Sequence, residues 1–112
     1  MYEYEATCLR VIDGDTINAK IELGFYVSTV KTIRIRGIDC PEVRTKNLAE
    51  KRRGVKAKGR VVELLEENKL QFKLISHRIG KYGRVVGDVI LPQGDLAELL
   101  IMEGHAERIE EL

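Results

Sequence analysis

The sequence predicts a β-rich α+β fold, in which a small five-stranded barrel carries one inserted helix and a short helix after its last strand. Three observations lead to this prediction. Residues 1–38 contain three segments rich in β-branched residues, a helical stretch follows them, and two further β segments precede a second helical stretch. At 112 residues the chain has room for one core of this kind and none for a second, so we expect a single domain over residues 1–112.

The three N-terminal strands read YEATCLRVI, TINAKIEL and TVKTIRIRGI, each with partial alternation of apolar and polar residues. Asp13-Gly14-Asp15 separates the first two, and an Asp-Gly pair between apolar segments is a strong hairpin signal. An EF-hand loop is excluded here, because Ile17 and Asn18 stand where an oxygen ligand and the required glycine belong.

The inserted helix is predicted from Val55 to Asn68, where apolar residues recur at helical spacing. LQFKLIS and RVVGDVIL then predict two strands, joined by the polar loop HRIGKYG, in which we expect His77 to be solvated. In DLAELLIMEG, Asp95 and Glu98 have capping-box spacing and Gly104 is a C-terminal stop signal, so a short helix closes the pattern. This order of elements suits a Greek-key barrel of the OB type, whose loops commonly bind oligonucleotides or oligosaccharides.

Composition excludes several classes of protein. The chain is 44% hydrophobic and 33% charged, and it has no apolar run of the ~18 residues that a membrane span requires, so we expect a soluble protein without a membrane partner. The N-terminus carries glutamates where a signal peptide has a basic start and an apolar stretch. We therefore expect a cytoplasmic chain as written, or a secreted one if a signal was removed. Cys8 and Cys40 are expected to be reduced thiols.

Charge is unevenly distributed along the chain, although the net charge is only +1. Residues 44–60 are strongly basic, and the segment from Asp95 to Glu111 is mainly acidic. Such runs are often only solvated surfaces, but a basic segment beside an anion site also raises the local concentration of a phosphate-bearing substrate.

Strand parity brings two carboxylates together. In the second strand the odd-numbered residues from Ile17 onward are apolar and face the core, which gives Asp15 core parity. In the third strand Ile33 and Ile35 face inward, so Asp39 also has core parity if the alternation continues. A hairpin between these strands would then place Asp15 and Asp39 at one mouth of the barrel.

Two such carboxylates need a cation or a shared proton, because they repel each other and lose hydration. Hard oxygen ligands suit Ca²⁺ or, less naturally, Mg²⁺, whereas the cysteines and histidines lack zinc-ligand spacing. A Cys–His nucleophile pair is not excluded by spacing, but nothing singles one out. Arg34 has the opposite parity to Asp39, and Gly37 allows a bend, so the pattern leaves open whether Arg34 shares the mouth.

Three motifs occur in order along the chain: VIDGDTI, IRIRGIDCPE and KYGR. Together they resemble the staphylococcal nuclease (thermonuclease) family, over nearly the whole sequence. The resemblance implies an OB barrel with helices. It also implies Ca²⁺-dependent hydrolysis of phosphodiester bonds in DNA and RNA with 3′-phosphate products. We expect single-stranded or melted DNA and RNA to be the preferred substrates; the oligomeric state is left open, with a monomer as the expectation.

The resemblance also assigns roles by position. It implies a metal site made of the carboxylates of Asp15 and Asp39 and the main-chain carbonyl of Cys40. Glu42 is the residue that holds or deprotonates the attacking water, and Asp13 is a supporting residue. The remaining assignments are a phosphate-gripping pair, Arg34 and Arg84, and two substrate-binding residues, Lys81 and Tyr82.

The sequence departs from the family pattern at two positions. Gly80 stands where the family often has an acid, and Glu110 stands where an aromatic residue commonly packs against the nucleoside. The sequence also ends before the family's C-terminal helix. These differences bear on substrate affinity, and they keep a second interpretation open: a module that binds nucleic acid without turnover. A purely structural barrel would leave the carboxylate and arginine set unexplained.

Overall fold

The fold, taken from a computed structural model that describes residues 2–110, is a closed barrel of five strands with helices packed against it. Met1, Glu111 and Leu112 lie outside the described residues, and Glu111 of the acidic segment is among them. The predicted β-rich α+β class and OB-like barrel are confirmed.

The barrel strands are β1 (Tyr2–Asp13), β2 (Thr16–Gly24), β3 (Val27–Ile35), β5 (Gln71–Ile79) and β6 (Val85–Leu91). They lie in the order β3-β2-β1-β5-β6, and all these neighbours are antiparallel. Parallel pairing of β3 with β6 at Ile33–Ile35 closes the barrel. The helix α1 (Leu48–Glu66) is inserted between β3 and β5, as predicted, and α2 (Leu96–Met102) follows β6.

Short elements complete the chain. The two-residue strand β4 (Ile38–Asp39) follows β3, and it pairs with β8 (Glu107–Arg108). A second two-residue strand, β7 (Gly94–Asp95), pairs with β6, and a 3-10 turn covers Lys81–Gly83. None of these was predicted, because two or three residues are too few to show a periodic pattern.

The core takes buried residues from all five barrel strands and from both helices, among them the inward rows of β2 and β3 and the apolar stripe of α1. The predicted alternation holds from Ile17 to Ile21 in β2 and at the end of β3, where Ile33 and Ile35 are fully buried. It is wrong for Leu23, which is 46% exposed and lies at an irregularity in the pairing of β2 with β3. Asp13-Gly14-Asp15 forms the predicted turn between β1 and β2, with Asp13 paired to Thr16. The cysteines Cys8 and Cys40 are buried and unpaired, as expected for reduced thiols.

Helix α1 begins at Leu48 rather than at Val55. Asn47 is its N-cap, and the Asn47 side chain accepts a hydrogen bond from the N–H of Glu50 at 3.0 Å. The residues after Glu50 are mostly basic, so this first part of the helix shows no apolar periodicity in the sequence. The basic segment at 44–60 therefore lies mostly on α1.

Two further details differ from the prediction. Strand β5 continues to Ile79, so His77 lies in a strand and not in a solvated loop; its Nε2 is 2.7 Å from Oδ2 of Asp88. At α2, Asp95 caps the helix through the N–H of Ala97, but Glu98 does not complete a capping box, because its carboxylate binds Arg108. No helix in the described part of the chain is long and apolar enough to cross a bilayer.

Candidate active site

A guanidinium group lies between two carboxylates at one mouth of the barrel. Nη1 of Arg34 is 3.7 Å from Oδ2 of Asp15, and Nη2 of Arg34 is 3.8 Å from Oδ1 of Asp39. The same guanidinium donates hydrogen bonds to the carbonyls of Ile35 and Ile38, at 2.9 and 2.8 Å. These contacts bring Asp15 and Asp39 together as strand pairing predicted, and they show that Arg34 shares the mouth.

Asp15 is a buried carboxylate, with only 7% of its surface exposed. Its Oδ2 accepts a hydrogen bond from the backbone N–H of Cys40 at 2.8 Å, and its Oδ1 accepts one from the hydroxyl of Thr16 at 2.9 Å. These donors and Arg34 offset the loss of hydration that a buried charge suffers. Asp15 is thus held rigidly, as a ligand or an electrostatic anchor must be.

Asp39 has the opposite environment, and the predicted core parity is wrong for it. Ile38 is fully buried and the side chain of Asp39 is 64% exposed. The backbone of Gly37 has φ +82°, which interrupts the alternation of β3 and shifts the following residues by one position. Asp39 therefore reaches the mouth from the solvent side, and Asp15 reaches it from the core.

The segment that carries Glu42 is held by the turn between β1 and β2. Asp15 binds the N–H of Cys40, and Oδ1 of Asp13 accepts a hydrogen bond from the N–H of Val43 at 3.0 Å. The N–H of Glu42 donates to Oε2 of Glu50 at 3.3 Å. The backbone around Glu42 is therefore fixed at three successive points, while the exposed Glu42 carboxylate makes no hydrogen bond or ion pair with any residue in 2–110.

Close packing against α1 supports the same segment. A Cβ atom on Gly54 would lie 2.5 Å from the carbonyl oxygen of Glu42, so only glycine allows the helix to approach this closely. Glu50 and Gly54 thus position the Glu42 segment, and sequence reasoning missed both. The Asn47–Glu50 cap spacing was the available signal for a helix that starts early enough to reach it.

The KYGR residues make no ion pair or side-chain hydrogen bond with the described residues of this cluster. Lys81, Tyr82 and Arg84 are exposed, and their side chains contact neither carboxylate of the mouth among the described contacts. Tyr82 is 97% exposed and adopts φ 60°, which is unusual for a bulky residue. Arg84 caps the 3-10 turn and directly precedes β6, in which Val86 pairs with Arg34.

Comparison with known proteins places the chain in a family. Residues 32–111, most of the chain, match the family described as staphylococcal nuclease homologue. The chain belongs to this family. The matched region includes seven of the eight predicted site residues, namely Arg34, Asp39, Cys40, Glu42, Lys81, Tyr82 and Arg84.

Three relatives from Bacillus subtilis (strain 168) are similar to nearly the whole chain. SPbeta prophage-derived endonuclease YokF is 34% identical over 103 residues, and Endonuclease YncB is 34% identical over 98 residues. Endonuclease YhcR is 36% identical over 111 residues. These alignments cover 91%, 87% and 93% of this chain, but only 33%, 44% and 9% of the respective relatives. The chain therefore spans less than half the length of each.

Cys40 belongs to the IRIRGIDCPE motif, but its sulfur is unreactive at neutral pH. Burial, followed by the negative charge of Asp15, raises the pKa of the Cys40 thiol from 9.0 to about 12. At neutral pH the sulfur is a protonated, buried thiol and not a thiolate nucleophile or a soft metal ligand.

The donor set at the mouth fits a hard cation that completes its shell with water. Asp15 and Asp39 both lie within 4 Å of one guanidinium, and each carboxylate keeps lone pairs beyond its present contacts. Solvent reaches Asp39, which leaves room for water ligands. Between residues 2 and 110 no group of three His, Cys, Asp or Glu side chains is placed to hold a metal ion, so side chains alone would supply only two ligands. This set suits Ca²⁺ or Mg²⁺ and not Zn²⁺.

Proposed function

We propose that this chain is a Ca²⁺-dependent nuclease, a hydrolase that cleaves phosphodiester bonds in DNA and RNA and leaves 3′-phosphate ends. The observation that carries the proposal is the contact of Arg34 with Asp15 and Asp39 beside the segment that presents Glu42. Family membership and the endonuclease names of the three relatives support the same class of reaction.

The metal site in this proposal consists of Asp15, Asp39 and the main-chain carbonyl of Cys40. A bound divalent cation supplies positive charge that offsets the negative charge developing on the phosphoryl oxygens. Asp15 is fixed by its hydrogen bonds, and Asp39 is free to adjust from the solvent side. One rigid and one adaptable carboxylate suit the variable coordination of Ca²⁺.

Glu42 acts on the water in this mechanism. Its carboxylate is exposed, has no internal partner among the described residues and sits on a backbone held by Asp13, Asp15 and Glu50. It can therefore accept a hydrogen bond from a water molecule without first breaking another contact. Attack of that water on phosphorus, with departure of the 5′ oxygen, leaves the phosphate on the 3′ end.

Arg34 and Arg84 stabilise the phosphate. Guanidinium groups match two phosphoryl oxygens at once and gain strength as charge develops on them. Arg34 already faces the mouth, while Arg84 is exposed directly before β6, the strand that pairs with the end of β3. Lys81 and Tyr82 line the phosphate pocket next to Arg84, and the basic residues of α1 raise the local concentration of nucleic acid.

Single-stranded or melted nucleic acid is the preferred substrate in this proposal, and the chain acts as one folded domain over residues 1–112 and as a monomer. The alternative is a nucleic-acid-binding module without turnover. One observation favours it: Arg34 is already engaged by two carbonyls and two carboxylates, so a phosphate must compete for its donors.

A cleavage assay separates the two functions. The protein is incubated with single-stranded DNA and RNA in Ca²⁺ or in excess chelator, and product ends are identified by phosphatase-dependent labelling. We expect Ca²⁺-dependent cleavage that leaves 3′-phosphate ends, and we expect the Glu42→Gln variant to lose this cleavage. Glu3→Gln, an exposed carboxylate on β1, is the matched control and should cleave normally. Salt-sensitive binding without Ca²⁺-dependent cleavage would instead support the binding module.

A further inference from the structure

The hairpin between β2 and β3 ends in two aromatic residues that the fold does not use. Phe25 and Tyr26 form its two-residue turn, since Gly24 pairs with Val27 on either side. Their exposures are 98% and 106% of the reference areas, so neither ring packs against the protein. The tip is thus an apolar projection that gives the barrel no buried area.

The backbone of this turn makes the choice of residues more unusual. Phe25 has φ 56° and Tyr26 has φ 62°, a conformation that two-residue hairpin turns normally assign to Asn-Gly or Gly-Gly. Bulky residues are strained there, and strain that persists without a packing gain is typical of functional positions. Neither the local backbone preference nor burial accounts for the choice of these two side chains.

The tip is connected to the candidate active site by one row of the same hairpin. Arg34 pairs with Thr16 at the mouth, and from there the pairs are Asn18 with Thr32, Lys20 with Val30 and Glu22 with Ser28. Side chains of these residues share the face opposite the core row. The one carboxylate in this row, Glu22, lies 3.5 Å from the ammonium group of Lys20, so no unpaired negative charge separates Arg34 from the tip.

The length of this row matches a nucleic-acid strand. From Val27 to Arg34 the strand extends about 24 Å at roughly 3.4 Å per residue. An oligonucleotide of about seven stacked nucleotides covers the same distance. Exposed aromatic rings bind unpaired bases by stacking, whatever the base, which suits an enzyme without sequence preference.

We propose that Phe25 and Tyr26 form a distal stacking site for the bases of a single strand whose cleaved phosphate lies at Arg34. This inference rests on the proposed nuclease function, and it adds a second contact point that favours long single strands over short ones. Duplex DNA keeps its bases stacked internally and gains nothing from the tip.

The double variant Phe25→Asn/Tyr26→Gly tests the site, because it installs the pair that this turn geometry prefers. We expect the melting temperature to rise by about 4 °C or more. We also expect KM for a single strand of about 12 nucleotides to rise about tenfold or more, since that strand covers the tip. KM for a trinucleotide, kcat for both substrates and cleavage of duplex DNA should stay unchanged.

Binding measured in chelator keeps this test separate from the nuclease proposal. Fluorescence anisotropy of the labelled long strand should show the same tenfold loss in the double variant, and Tyr2→Ser, an exposed tyrosine on β1, should show none. If cleavage is absent but the binding loss is present, the distal site stands and the nuclease function fails. Equal affinity of the double variant and the natural chain for the long strand would overturn the distal site. Two other results would also overturn it, if the oligonucleotide affinity of the double variant is unchanged. One is that the variant no longer binds phosphatidylcholine–phosphatidylglycerol vesicles, and the other is that it no longer forms a concentration-dependent dimer.

Discussion

Asp15 accepts a hydrogen bond from the backbone N–H of Cys40 at 2.8 Å, across a gap of 25 residues in sequence. This bond ties the turn between β1 and β2 to the segment that carries Asp39 and Glu42. Asp13 adds a second tie to Val43 at 3.0 Å. The turn is therefore a support for the candidate active site as well as a connection between strands.

Substitution of the two carboxylates of the mouth should change the stability of the protein by different amounts. Asp15→Ala is expected to weaken Ca²⁺ binding and to lower the free energy of unfolding by about 1–3 kcal/mol, because a buried N–H loses its acceptor. Asp39→Ala should weaken Ca²⁺ binding equally, with a stability change within about 0.5 kcal/mol, because its side chain is exposed. Calorimetric Ca²⁺ titration and urea unfolding in chelator measure both effects. Normal Ca²⁺ affinity in both variants would mean that the carboxylates serve Arg34 alone.

Glu42→Gln should reduce turnover without disturbing the metal site. General base catalysis contributes about a hundredfold or more, and the neutral amide cannot accept the proton. The side chain is exposed and unpartnered among residues 2–110, so stability and Ca²⁺ affinity should stay unchanged. Steady-state kinetics with saturating Ca²⁺ and a parallel Ca²⁺ titration check this. A loss of Ca²⁺ affinity would make Glu42 a metal ligand instead.

Both arginines should be needed for cleavage, but only Arg34 should contribute to thermal stability. Arg34→Lys and Arg84→Lys are each expected to reduce kcat about a hundredfold, because lysine lacks the planar fork that grips two phosphoryl oxygens. Arg34→Lys should also lower thermal stability, since one ammonium group cannot replace the bonds to Ile35 and Ile38. Kinetics and thermal unfolding of both variants give the comparison. A large stability loss in Arg84→Lys would contradict its exposed position.

Two glycines of α1 provide a matched pair. Gly54→Ala should destabilise the protein and reduce cleavage, because the new Cβ would lie 2.5 Å from the carbonyl oxygen of Glu42 and would displace that segment. Gly59→Ala meets no atom within 4 Å and should stabilise the helix by about 0.5–1 kcal/mol. Unfolding curves and initial rates for both variants test this contrast. If both substitutions stabilise, Gly54 does not set the position of the Glu42 segment.

The Cys40 thiol should affect stability only in alkaline solution. Burial raises its pKa to about 12, whereas an unfolded chain releases the proton near 9.0. Below pH 9 both states keep the proton, so its contribution is complete; from pH 9 towards 12 only the unfolded state releases it, and stability falls as pH rises. Cys40→Ala should show a shallower decline between pH 8 and 11 in urea unfolding, and it should retain Ca²⁺-dependent cleavage. Loss of cleavage at neutral pH would give the sulfur a role.

The sequence by itself determined the barrel class, the turn at Asp13-Gly14-Asp15 and membership of the family, because these depend on local alternation, turn chemistry and short motifs. It also predicted that Asp15 and Asp39 meet, since strand pairing brings the start of β2 beside the end of β3. The sequence did not predict correctly from which side Asp39 reaches the mouth. A one-residue shift at Gly37 inverts every side chain beyond it, and the apolar pattern does not reveal such a shift in advance.

Only the tertiary structure decided how the site is held. The contacts of Arg34 with two carboxylates, the hydrogen bonds from Cys40 and Val43, and the close approach of Gly54 to Glu42 all join residues on different elements. The physical reason is that periodicity reports only which side of an element is buried. Which polar groups then meet depends on how the barrel, the turn and α1 pack, and a buried donor or acceptor accepts only the partner that this packing brings within reach.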